Sequence, residues 1–158
     1  MQNREIAKQL QRLNDLIKKT DEACSGNLEL QAEWAKYPCV LSSGLIENAL
    51  KAIYIEFAQK KVSKPIASYV SSTISPIRNP KTQRFLDIAA AFNPTWKDEL
   101  EAYVNDNGRL EAIDSIMNQR HLIAHGQNHN SNITVAKVKD YLSKSIEVLE
   151  FIEQQCEK

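Results

Sequence analysis

Residues 39–59, CVLSSGLIENALKAIYIEFAQ, carry apolar side chains on nearly every face of a helical wheel. A helix of that kind cannot lie on a surface. It asks to be central, with other helices packed around it. Charged residues at Glu47, Lys51 and Glu56 interrupt it, and no run of about 18 apolar residues occurs in the chain, so no membrane span is expected.

The rest of the sequence supplies helices to surround it. Only four glycines and five prolines occur. Apolar residues recur at spacings of three and four, and β-branched alternation is scarce, which predicts helices throughout. A first helix is expected from about Arg4 to Cys24, with Ile6, Leu10, Leu13 and Ile17 on one face. A long second region runs from about Leu28 to Lys61, and Pro38 either kinks or restarts it. Ser63 is placed to cap a third helix ending near Ser75. After SPIRNP, Thr82 to Phe92 form a fourth. Asn93 caps a fifth, with Pro94 at its first position, to about Val104. A sixth spans about Arg109 to His125 and stops at Gly126. Thr134 caps a last helix through about Gln155, with Val138, Leu142, Ile146, Leu149 and Ile152 inward. The expected fold is an all-α bundle of five to seven helices in one domain over residues 1–158, its core formed by the second, sixth and last helices.

Lysine and arginine number 20, as do aspartate and glutamate, giving zero formal net charge. A strongly basic footprint for nonspecific nucleic-acid binding is therefore absent, and RNA contact would need a local patch. Lys60, Lys61, Lys64, Arg78, Lys81 and Arg84 are the candidates, clustered around the third helix and its flanking turns; as helix-end and loop charges they also suit plain solvation. Three cysteines, Cys24, Cys39 and Cys156, lack metal-type spacing and read as reduced thiols of a cytoplasmic protein. The polar N-terminus does not look like a secretory signal.

The stretch NQRHLIAHG, residues 118–126, places an arginine and two of the three histidines among aliphatic residues. At about 100° per residue, Leu110, Ile113, Ile116, Met117, Ile123 and Ala124 share one arc, and Arg120 falls inside it. Asp114, Asn118, His121 and His125 form a second stripe within about 60° of one another. Three readings are open. Arg120 bridges to Glu47 or Glu56 on the central helix, and His125 merely caps a helix end. Alternatively, His121 and His125, four apart, bind a metal with Asp114 or Glu47 as third ligand, though the glutamate of the helical zinc-protease pattern is missing. Or the pair performs phosphodiester chemistry: histidine moves protons near neutrality, and a guanidinium fork stabilises charge building on phosphorus. Trp34, Trp96 and Tyr54 read as core or interface residues, and His129 as exposed in a polar loop.

Arg120-His-Leu-Ile-Ala-His125 resembles the Arg-x4-His signature of the HEPN superfamily. NQRHLIAHG at the end of a late helix, together with LSSGLIENALKAIY and its acid Glu47, is similar to the RiboL-PSP branch over about residues 28–155. The resemblance implies a helical bundle that forms homodimers with two motifs facing one cleft. It implies metal-independent endoribonuclease activity without a cofactor, as a toxin or defence effector with an antitoxin or other regulatory partner. Arg120 would stabilise the scissile phosphate and His125 would act as general acid/base. His121, Asn118 and Asp114 would line the cleft, and Glu47 would orient Arg120 or His125. A non-catalytic module that binds nucleotide or protein is the alternative, because some such domains only bind.

Overall fold

The computed structural model describes residues 1–158, the Asn128 side chain apart. Seven α-helices follow one another: α1 (Arg4–Ala23), α2 (Leu28–Lys61), α3 (Lys64–Ile74), α4 (Thr82–Phe92), α5 (Pro94–Val104), α6 (Arg109–Ala124) and α7 (Val135–Glu157), with a 3-10 turn at Asn128–Asn130. Among the described residues there is no strand, and the fold is all-α. Among the described residues no helix is long and apolar enough to cross a membrane.

The helix starts carry their own chemistry. The side chains of Asn3, Asn27, Asn93 and Thr134 accept hydrogen bonds from the first-turn N–H groups of Ile6, Leu30, Thr95 and Lys137 respectively. Ser63 occupies the cap position of α3, as expected, but its side chain makes no capping bond. Pro65 stands two residues on and has no N–H, which removes one of the two donors a cap oxygen can reach. Pro38 lies inside α2 and neither ends nor restarts it. The Ser42 hydroxyl donates to the Pro38 carbonyl at 2.7 Å.

Side-chain bonds fix the helix directions. The Asn3 amide donates to Glu56, while Met1 and Gln2 reach Glu150 and Glu153. The late halves of α2 and α7 therefore share one end of the molecule, and these two helices run parallel. Arg109 pairs with Glu147, whereas Gln119 bonds Ser131 and Asn132 just before α7. So α6 runs antiparallel to α7 and to α2.

The core is built where α2, α6 and α7 meet, with α1, α3, α4 and α5 around them. Ile46, Leu50, Tyr54, Ile113, Ile116, Met117, Leu142, Leu149 and Ile152 are all but fully buried. Tyr54 stacks on Phe92, and Phe57 meets both Phe92 and Trp96 edge-on. Tyr54 and Trp96 thus belong to the packed interior and its margin.

The later part of α2, residues 39–59, is central and packed as expected, with Leu41 its one exposed large apolar side chain. Ahead of that segment Leu30, Trp34 and Tyr37 remain in solvent on the same side of the helix.

Candidate functional site at the end of α6

Four residues of α6 sink into the core: Ala112, Ile113, Ile116 and Met117. Beyond Met117 the same face emerges. Arg120 and Ile123 are half-buried, and Ala124 is exposed, as is Leu110 at the opposite end. The predicted apolar arc is therefore packed only at its middle. Arg120 continues the line of buried side chains past the point where the core ends.

The helix then stops in a defined way. His125 is the C-cap, and Gly126 follows with φ of 70°. The Gly126 N–H donates to Ile123 and the Gln127 N–H to Leu122, the paired bonds of a Schellman turn. A left-handed residue suits glycine because it has no Cβ to clash. This turn leaves His121 and His125 exposed, one helical turn apart, with ring centroids 4.3 Å from each other and planes inclined at 53°.

The Arg120 side chain makes no ion pair or hydrogen bond among the described residues. The acids expected to hold it are engaged elsewhere. Glu56 accepts from Asn3. Glu47 binds the Lys51 ammonium at 2.7 Å and the Asn79 N–H at 2.7 Å, with Arg78 at 3.6 Å. The reason is register. The Cys39 thiol meets the Ile116 carbonyl at 4.0 Å, so the two helices are level there. Glu47 lies eight residues, about 12 Å, to one side of that level, and Arg120 four residues, about 6 Å, to the other. Within one protomer, Glu47 does not orient the motif; it ties the α3–α4 turn to α2.

The polar stripe divides in the same manner. Asp114 is half-buried and accepts from Thr82 through both the backbone N–H (2.7 Å) and the hydroxyl (2.8 Å). It is thereby committed to the start of α4. Asn118, His121 and His125 stay exposed. Among the described residues, no group of three or more His, Cys, Asp or Glu side chains is arranged to hold a metal. The two acids considered as third ligands, Asp114 and Glu47, carry the partners just named.

The six candidate cations fall into two sets. Arg78, Lys81 and Arg84 line one shallow depression of about 360 Å³ on the α3–α4 turn. Lys60, Lys61 and Lys64 sit at the junction of α2 and α3, the end of α2 remote from Arg120. His129 is exposed in the 3-10 turn.

Two features escaped the reading of the sequence. One is an apolar groove of about 530 Å³ between the end of α2, α3 and α4, walled by Phe57, Val62, Ile66, Tyr69, Ile88 and Phe92. The other is the uncovered stripe on α2. Its signal was present: residues 30, 34, 37 and 41 repeat at four, three and four, with no charge on that arc.

No curated protein and no solved structure matches the chain. The model of the family described as RiboL-PSP-HEPN matches residues 2–158, nearly the whole length and including both segments that carry the resemblance. The seven-helix all-α architecture agrees with that match, and the chain belongs to the RiboL-PSP-HEPN family.

Proposed function

We propose that the protein is a metal-independent endoribonuclease that acts in the cytoplasm as a homodimer, with Arg120 and His125 as its catalytic residues. The observation that carries this reading is the state of Arg120. A half-buried guanidinium with no carboxylate partner among the described residues, beside two exposed imidazoles, is costly for folding alone. It is well suited to receiving an anion.

In the reaction, the ribose 2′-oxygen attacks the adjacent phosphorus and the bond from phosphorus to the 5′-oxygen breaks. The products are a 2′,3′-cyclic phosphate and a free 5′-hydroxyl. His125 moves the protons, as an imidazole placed at the cleft can. Arg120 offers two parallel N–H donors to the phosphoryl oxygens as charge builds. His121 and Asn118 line the site. In the dimer, a second motif faces the first across the symmetry axis. Arg78, Lys81 and Arg84 supply a local positive patch for the RNA backbone on a chain of zero net charge. Such an activity in a cell requires restraint, which fits a toxin or defence effector held by an inhibitory partner.

The test is cleavage of RNA in the presence of a chelator. Wild-type protein and His129→Ala are expected to cut. Arg120→Ala and His125→Ala are expected to lose at least 100-fold in rate, about 2.7 kcal/mol of transition-state stabilisation, with unchanged circular dichroism. Wild-type protein that binds RNA without cutting it would favour a binding module instead.

A further inference from the structure

Phe92, at the close of α4, meets Phe57 near the close of α2, where α3 begins. So α3 and α4 run antiparallel, joined by the turn at 75–81. Helix α3 packs chiefly on α2, and the apolar groove of about 530 Å³ separates it from α4. One end of the groove is formed by Phe57, Val62, Ile66 and Phe92, and the turn end holds Thr73, Ile77 and Arg84. Those last three also line the depression that carries Arg78 and Lys81. Groove and depression are therefore one continuous trough, apolar along its length and cationic at the turn. Lys60, Lys61 and Lys64 stand near the opposite end, but none of them lines the groove.

The dimensions select the occupant. Ile66 and Ile74 are eight residues apart on α3, about 12 Å. Spread over that length, 530 Å³ leaves a channel about 7 Å wide. That is narrower than a helix with its side chains, about 10 Å, and suits one extended hydrocarbon chain. The lip is apolar too: Ile66 is 53% and Tyr69 72% exposed, area that a bound chain would shield from water. Charge gives the direction. Arg84 is exposed, and its side chain makes no ion pair or hydrogen bond among the described residues. Arg78 is held by the Ser75 and Ile77 carbonyls, with Glu47 at 3.6 Å. Lys81 and Arg84 are left without an acidic partner among the described residues. Asp87, the one acid on the groove wall, accepts from Gln83 of its own helix at 2.9 Å.

We infer that this trough is a binding site for a single acyl chain ending in a carboxylate, its chain along α3 and its head at Lys81 and Arg84. Burial of the chain supplies the affinity, and the Arg84 fork holds the carboxylate. Entry in the reverse sense would bury the carboxylate among Phe57, Val62 and Phe92 with no donor, which is costly. Asp87, about one helical turn beyond Arg84, repels a head that moves further in. The site is separate from the α6 motif. Glu47, which ties the α3–α4 turn to α2, lies about 18 Å along α2 from the level of Arg120. The site therefore stands whether or not the protein cleaves RNA.

The experiment is isothermal titration calorimetry of the full chain with decanoate, kept below the concentration at which it forms micelles. One decanoate per chain is expected. Octanoate, two CH2 groups shorter, should bind roughly tenfold more weakly, since each buried CH2 is worth up to about a factor of four. Ala91→Trp fills the groove from an exposed position on its wall and should abolish binding with unchanged circular dichroism. Arg84→Gln should raise the dissociation constant of decanoate about fivefold and leave that of the uncharged decanol unchanged. Lys60→Gln, outside the groove, should change neither. Absence of saturable decanoate binding, or binding that Ala91→Trp leaves intact, overturns the site. Decanoate binding that Arg84→Gln does not weaken, or weakens no more than it weakens decanol, overturns the carboxylate as the recognised head.

Discussion

Asp114 takes two hydrogen bonds from Thr82, and the physical need for them is clear. The first N–H groups of a helix have no partner within it, and the cap residue of α4, Lys81, offers no side-chain acceptor. Asp114 supplies the cap from a different helix, to a residue that is 2% exposed. Asp114→Ala should therefore cost about 2 kcal/mol, because the buried Thr82 N–H is left unpaired while the hydroxyl keeps the Leu110 carbonyl at 3.3 Å; urea unfolding measures it. A loss below about 0.5 kcal/mol would mean that water replaces the carboxylate. The same logic explains why one wheel position reads as reactive in sequence and proves structural. Asp114, His121 and His125 share a face, yet Asp114 is level with α4 and the histidines are beyond it. At residue scale the sequence exposes side-chain type and helical phase, and it does not expose what lies opposite.

The end of α6 was legible in advance. Its start at Arg109, its close at Gly126 and the aliphatic run between them follow from local chemistry, as do the bounds of α2 and α5, whose starts carry their own Asn caps. Gly126 is the hinge of the candidate site, because its left-handed turn leaves His125 on the last turn of the helix. Nothing lies within 4 Å of an added Cβ, so the cost of Gly126→Ala is backbone strain alone, about 1–2 kcal/mol. Thermal unfolding should register that loss, and the His121 and His125 ring resonances should shift together. Unchanged resonances would show that the turn does not position the imidazoles. The later part of the central helix was legible too: residues 39–59 are apolar on nearly every face and are packed apart from Leu41. The bare side of its first part, at Leu30, Trp34 and Tyr37, was not read from the sequence.

Across the whole molecule, the three cysteines are buried. Burial pushes the Cys39 thiol from its ordinary 9.0 up to about 12, and burial with the nearby Glu153 and Glu157 charges does the same to Cys156. The native state holds these protons more tightly than the unfolded chain does. Stability is thus fully present below pH 9 and is lost as pH rises through the window toward about 12. Urea midpoints should fall between about pH 9 and about pH 11, and less so in Cys39→Ala corrected for its packing loss; flat midpoints would mean that the thiols are hydrated. The sequence by itself determined the helical class, nearly every helix boundary, and the motif at the end of α6, because these depend on contacts within a few residues along one chain. The tertiary structure decided where Glu47 and Asp114 spend their charge, why Arg120 is left without an acid, and which side of α2 stays bare. Those outcomes depend on the level at which antiparallel helices pass each other, a quantity set by packing of the whole core and written in no single segment.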